Sequence, residues 1–294
     1  MQKKIFFFVL IFLITTSFIK GENPETFYQQ AIESFNKLDL NVSYKIFEGI
    51  IKFFPETDQS KKARIWRMLI SSIQFSSLDM LKDRYVSAVK NSNSDVDRYK
   101  NLKKCMEISE RAVETGKVLV NDTKEAIKYV GYPVEVKMKK EYDSLKLGVE
   151  AFLPIKMLEQ GRPLDWDENQ KMEEFQNDSA YRYILGKILN LPSSKKEELI
   201  KEGITIEGKV DWPVMLTLIG NWLIRFGELC RVGWVSPYSQ KNITSIENAK
   251  IAYETAKICF EKVISLSEGN PSLDLKVNAE KRIQELNTLI KSIK

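Results

Sequence analysis

Between Leu40 and Phe54 the chain reads LNVSYKIFEGIIKFF. Lys45, Glu48 and Lys52 fall on one narrow polar stripe, while Val42, Ile46, Phe47, Ile50, Ile51, Phe53 and Phe54 occupy most of the other positions. Residues three, four and seven apart share a helix face, so the spacing predicts a helix that is apolar around most of its circumference. Such a helix has to be covered from both flanks. Pro55 cannot continue it and biases Phe54 away from helical geometry.

The same reading extends in both directions. Asn23-Pro24-Glu25 combines an N-cap acceptor, a proline at the first helical position and an acid in the first turn, and Phe27, Tyr28, Ala31, Phe35 and Leu38 follow at helical spacing. Beyond Pro55, Ala63, Trp66, Ile70 and Ile73 share one face of a third helix. Near the C-terminus Ala256, Phe260, Val263 and Leu266 form another apolar face, Pro271 follows, and Ala279, Ile283 and Leu286 begin the next.

The middle also reads as helix. Ser94 with Asp97 opens a segment running through Tyr99, Leu102, Met106 and Val113, and Asp122 with Glu125 forms a capping-box-like start for another that ends at Gly131 before Pro133. Residues 134–152, 179–190 and 194–202 continue the pattern, and only ITIEGKV, 204–210, reads as a short hairpin. Residues 212–234 form the most apolar stretch after the N-terminus. Asn221, Arg225 and Glu228 interrupt it, which favours a core helix over a membrane span. Arg225 and Glu228 are spaced to neutralise each other, and Trp222 with Trp234 offers a groove for a peptide or glycan as the sharper alternative.

Two helices in succession, small residues where they cross and a terminal proline resemble the tetratricopeptide repeat, a helix-turn-helix unit of about 34 residues. Phe27 sits at the motif's tryptophan place, Ala31 at its glycine, Ser43 at the small crossing place, Phe47 at the phenylalanine and Pro55 at the proline; Gln30 and Ser34 depart from the pattern. Ala256 and Phe260 reproduce the crossing pair. The two ends together resemble the periplasmic tetratricopeptide proteins of outer-membrane assembly (BamD-like) and related envelope families. Phe47 and Phe260 are not separated by a whole number of units. The expected fold is therefore all-α: helix-hairpin repeats at 22–90 and 244–294 flank an irregular helical middle, 91–243, in one superhelical or bundle-like domain spanning 22–294.

The N-terminus adds an address. Lys3 and Lys4 precede an unbroken apolar run at residues 5–14, and small or hydroxylated residues follow up to Gly21, the pattern of a secretory signal peptide over 1–21. The run is shorter than the ~20 residues a spanning helix needs, so export with cleavage is expected and an uncleaved anchor is the alternative. Removing Lys3, Lys4 and Lys20 lowers Lys+Arg from 45 to 42 against 40 Asp+Glu, so the net charge falls from +5 to +2. A nearly neutral surface of mixed sign gives no footprint for nucleic acid.

Composition narrows the chemistry. The chain has no histidine, which removes Ser-His-Asp and Cys-His nucleophile systems and imidazole metal ligation. Cys105, Cys230 and Cys259 show no paired spacing, so buried thiols are expected, with a Cys230–Cys259 bridge as the alternative.

Apparent motifs dissolve individually. Gly203 to Lys209 has phosphate-loop spacing, but Val210 stands where Ser or Thr would meet Mg²⁺. Asp165, Asp167 and Asn169 match the start of a calcium loop, but Gln170 replaces the turn glycine and Gln176 the bidentate glutamate; an acidic helix start explains them better. Ser87 with Lys90 and Ser193 with Lys196 lack the companion elements of a Ser-Lys hydrolase. Sequons occur at Asn41, Asn121, Asn177 and Asn242. No catalytic, cofactor-binding or metal-ligating residue is singled out. The expected function is an exported, non-enzymatic scaffold of the envelope or periplasm that binds another protein. The alternative is an envelope hydrolase or carbohydrate-binding protein using Asp165 and Asp167 beside Trp166.

Overall fold

The side chain of Asn23 accepts a hydrogen bond from the Glu25 amide at 3.0 Å, and Pro24 takes the first position of α1, Pro24–Asn36. Leu38, at φ +58°, reverses the chain, and Asp39 caps α2, Leu40–Phe53, by accepting from the Val42 amide. The two helices approach closely because small residues meet at their crossing: the buried Ser43 hydroxyl donates to the Ala31 carbonyl at 2.9 Å. α3 follows at Asp58–Asn91. Its Trp66 stacks on Phe47 with ring planes 3° apart and donates its indole N–H to Tyr28 at 2.7 Å. α2 thus lies between α1 and α3 and is covered on both flanks, with Phe53 at its last turn left 42% exposed.

The computed structural model describes residues 23–132, 134–189, 191–199, 205–232, 245–267 and 273–293. Helices hold 83% of the described residues, in ten segments beside one two-stranded sheet. The expected all-α class therefore holds. The leader at 1–21, Pro133, Gly203, Trp234, Asn242 and Pro271 lie outside the described residues.

α3 folds back through residues 92–94 onto α4, Asp95–Ala126. The expected break at Asp122 does not occur. Val113, Gly116, Leu119, Val120, Thr123 and Ala126 carry one core face straight through it, and the Asp122 carboxylate points across to α3 and α2, pairing with Arg67 and accepting from the Tyr44 hydroxyl. Of the helix expected over 134–152, only residues 144–152 are helical. Glu135–Lys139 is a strand, β1, because Val134, Val136, Met138 and Lys140 are buried while Lys137 and Lys139 are exposed, a period of two. Its antiparallel partner is β2, Thr205–Lys209, with Val136 opposite Gly208 and Met138 opposite Ile206. Residues 205–209 therefore pair with a distant strand and form no hairpin of their own.

Between the strands come α5, Ser144–Glu159; α6, Trp166–Ile188; and the short α7, Ser193–Glu198. α8, Trp212–Val232, is the apolar core helix expected there, followed by α9, Ile246–Ser267, and α10, Leu273–Ser292. No described helix is long and apolar enough to cross a membrane. α8 packs tightly at glycine: a Cβ on Gly116 of α4 would lie 2.2 Å from the Phe226 ring, and one on Gly227 would lie 2.4 Å from Tyr253 of α9.

Arg225 does not pair with Glu228. It reaches across to Asp79 and Asp83 of α3, while Glu228 pairs with Arg231 at 2.6 Å and accepts from Tyr253. All three cysteines are buried and free, so the Cys230–Cys259 bridge is not formed. Burial pushes the Cys259 thiol up to about 12 and Cys105 to about 11, which removes reactive thiolate.

Candidate interaction surfaces

α5 is held firmly along its inner side. The Asp143 carboxylate caps it by accepting from the amides of Leu145 and Lys146 at 2.9 and 3.1 Å. One turn upstream Lys140, fully buried, donates to the Ser144 hydroxyl and to the Leu199 carbonyl. Ser144 donates in turn to Asp178 of α6 at 2.8 Å, and the second Asp178 oxygen accepts from Arg182 at 2.9 Å. At the far end the carbonyl of Gly161 accepts from Ser92 at 3.0 Å and Asn101 at 2.8 Å. Gly161 sits at φ +74°, and a Cβ there would lie 2.4 Å from the backbone of Asn91. Ala151, Pro154 and Leu158 bury the inner face.

The outer face is apolar as well. Leu145, Val149, Phe152 and Leu153 fall at i, i+4, i+7 and i+8 and are 65%, 76%, 62% and 62% exposed. A surface helix ordinarily turns charged residues outward; here the charge is confined to the borders. Lys146 pairs with Glu150 at 3.9 Å and Lys156 with Glu159 at 2.8 Å, so the flanks are neutral. Large apolar patches bordered by polar residues mark contact surfaces on soluble proteins. The sequence carried a signal for this one. SLKLGVEAFLPIKMLE has too many apolar positions for a single buried face, the same excess that marked α2.

A second concavity lies where α2, α3, α4 and α6 converge, with a volume of about 570 Å³. Leu78 and Leu81 form its floor, and Arg111 of α4 bridges to both carboxylate oxygens of Glu173 on α6 at 2.7 and 3.0 Å. The Gln74 amide on its wall donates to Asn41 at 2.9 Å.

Several sequence features are placed elsewhere. Asp165 caps α6 in a reciprocal box with Glu168, and the Asn169 side chain bonds to the Leu164 carbonyl and to Tyr85. Asp165 and Asp167 are therefore the exposed acidic start of a helix, and Trp166 beside them is 72% exposed. Ser87 is exposed and donates to the Asp83 carbonyl, and Ser193 begins the exposed α7. The serine and lysine that do meet, Ser144 and Lys140, are buried. The Ser144 proton goes to Asp178 and its lone pair receives the lysine, the reverse of what a serine nucleophile needs from a neutral amine. Trp222 is half-buried and packs edge-on against Phe75 with centroids 6.4 Å apart. Among the described residues no group of three or more His, Cys, Asp or Glu side chains is placed to hold a metal ion.

No family model, curated protein or solved structure matches this chain.

Proposed function

We propose that the chain is an exported, non-enzymatic scaffold that binds another protein through the outer face of α5. The supporting observation is the row Leu145, Val149, Phe152 and Leu153, left bare on a helix whose inner face and both ends are fixed. Export rests on the leader-like residues 1–21. Affinity with tetratricopeptide arrays rests on the small-residue crossing of α1 and α2 and the packing of α2 against α3. The neutral borders favour a polypeptide over an anionic bilayer, because the lysines flanking the ridge are already paired with glutamates.

α5 is about 24 Å long at 1.5 Å per residue. A flat contact on that ridge alone falls below the roughly 800 Å² per partner of a stable complex. The fitting partner is therefore one whose own apolar groove or helix pair cradles the ridge from both sides. A photocrosslinker at Val149 or Phe152 tests this in cells. A discrete crosslinked polypeptide is expected from these positions and not from Glu48 on the polar stripe of α2. Liposome flotation without a crosslinked protein, or a crosslinked homodimer alone, would overturn it in favour of a bilayer or a second copy.

A further inference from the structure

Helices of this protein pack on one another through glycine. Gly116 of α4 receives the Phe226 ring of α8, Gly220 of α8 the Phe260 ring of α9, and Gly227 of α8 the Tyr253 ring of α9; a Cβ at each would lie 2.2, 2.7 and 2.4 Å from its ring. A Cβ on Gly186 of α6 would rest 3.7 Å from Leu199. Gly148 differs from all four. It stands in the interior of α5, where glycine destabilises a helix relative to alanine. Its φ is not positive, and a Cβ there would meet nothing within 4 Å among the described residues. Neither backbone geometry nor packing within the described chain calls for a glycine at that place.

What surrounds Gly148 is apolar. Leu145, three residues before it, and Phe152, four after, share its face, and Ile155 one turn further packs against the core. Together they wall a notch along the edge of the exposed ridge. The Lys146–Glu150 pair stands on the ridge's opposite border.

We propose that Gly148 is the seat of an aromatic side chain carried by a helix of the partner protein, laid on α5 as Phe226 is laid on Gly116. This rests on the reading of the α5 ridge as a protein-binding face and adds the chemistry that the face receives. The three occupied seats all take an aromatic ring. A ring on glycine also lets two helices approach closely, and it adds roughly 150–250 Å² of buried surface to a ridge that is too small alone.

The test uses the full chain in cells, with the photocrosslinker at Val149 and residue 148 left as glycine or changed by Gly148→Ala or Gly148→Leu. Because a Cβ at 148 meets open space, both variants are expected to fold, with unfolding midpoints of the purified chains at or above the parent's by circular dichroism. The yield of the crosslinked polypeptide is expected to fall at least threefold with alanine and to background with leucine. Mass spectrometry of the crosslinked peptide should find a Phe, Tyr or Trp within four positions of the linked residue. A parent that captures no polypeptide, or only a second copy of this chain, removes the protein-binding reading of α5 and this proposal with it. A parent that captures one, with undiminished yield from Gly148→Leu or no aromatic residue in the linked segment, leaves the ridge standing and overturns the aromatic seat alone. Lower midpoints in both variants overturn it as well, since the glycine would then serve this chain's own packing.

Discussion

α2 and α5 are built from similar residue inventories and end up in opposite situations. Both carry large apolar side chains around more than half of their circumference and short polar intervals between. α2 has α1 on one flank and α3 on the other, so Ile46, Phe47 and Ile50 are buried and Val42, Ile51 and Phe54 pack against the core. α5 has α6 and part of α3 on its inner side, and its outer row meets solvent. The difference lies in the neighbours, not in the helix. An apolar excess in a helix states that two coverings are needed; where the fold supplies only one, the second is sought outside the chain.

The largest effect expected separates the two helices directly. Phe47→Ala removes a fully buried ring stacked on Trp66 and should cost about 3–5 kcal/mol in urea unfolding, whereas Phe152→Ala on α5 should change stability by no more than about 0.5 kcal/mol. Equal losses would erase the contrast. Asp178→Ala tests the inner fixation of α5 and should cost about 3–5 kcal/mol, because it strands Lys140 and Arg182 beside a void. A cost near zero would mean that α5 is held by packing alone.

A smaller effect concerns how α2 is tied to α3 and α4 through Tyr44, Arg67 and Asp122. Burial pushes the Asp122 carboxyl up to about 6, against the opposing pull of Arg67. The folded state then holds this proton at a pH where the unfolded chain, with an ordinary value of 3.8, has released it. Stability from this group therefore rises as pH falls from about 6 to 4 and is lost as pH climbs back through 6. Relative to Asp122→Asn, the unaltered protein should gain on the order of 2 kcal/mol over that interval, read from denaturation midpoints at fixed ionic strength. A gain in the other direction would mean that Arg67 outweighs burial. The smallest stability change is expected for Val149→Lys with Phe152→Lys: within about 0.5 kcal/mol of the parent, but with crosslinking from a photocrosslinker placed at Leu145 of the same ridge abolished.

Local rules carried the sequence reading furthest where partners are close in the chain. The cap at Asn23 and the periodicity of α2 depend on residues within a few positions of one another, and both stand in the structure. At Asp122 the start signal fails, because an acid followed by Glu125 opens a helix only where the chain before it is not already helical, and here one apolar face crosses it unbroken. β1 was hidden by Lys140, a charge in an inward position that spoils the alternation and is tolerated only because Ser144, the Leu199 carbonyl and the Tyr142 ring receive it. Arg225 has its partners on α3, more than a hundred residues upstream. The groove is likewise assembled from four helices, so it gave no signal in the sequence. The excess on α5 was present in the letters, but which flank stays bare is decided by stacking.

The two clamps on α5, Asp178 with Lys140 at its start and Gly161 at its end, carry a kinetic consequence. A ridge fixed at both extremities is already in its bound shape before any encounter, so a visiting molecule has little backbone freedom to freeze out. Association should then proceed as a rigid-body collision at ordinary rates of about 10⁵–10⁷ M⁻¹s⁻¹, with selectivity expressed in how long the complex survives.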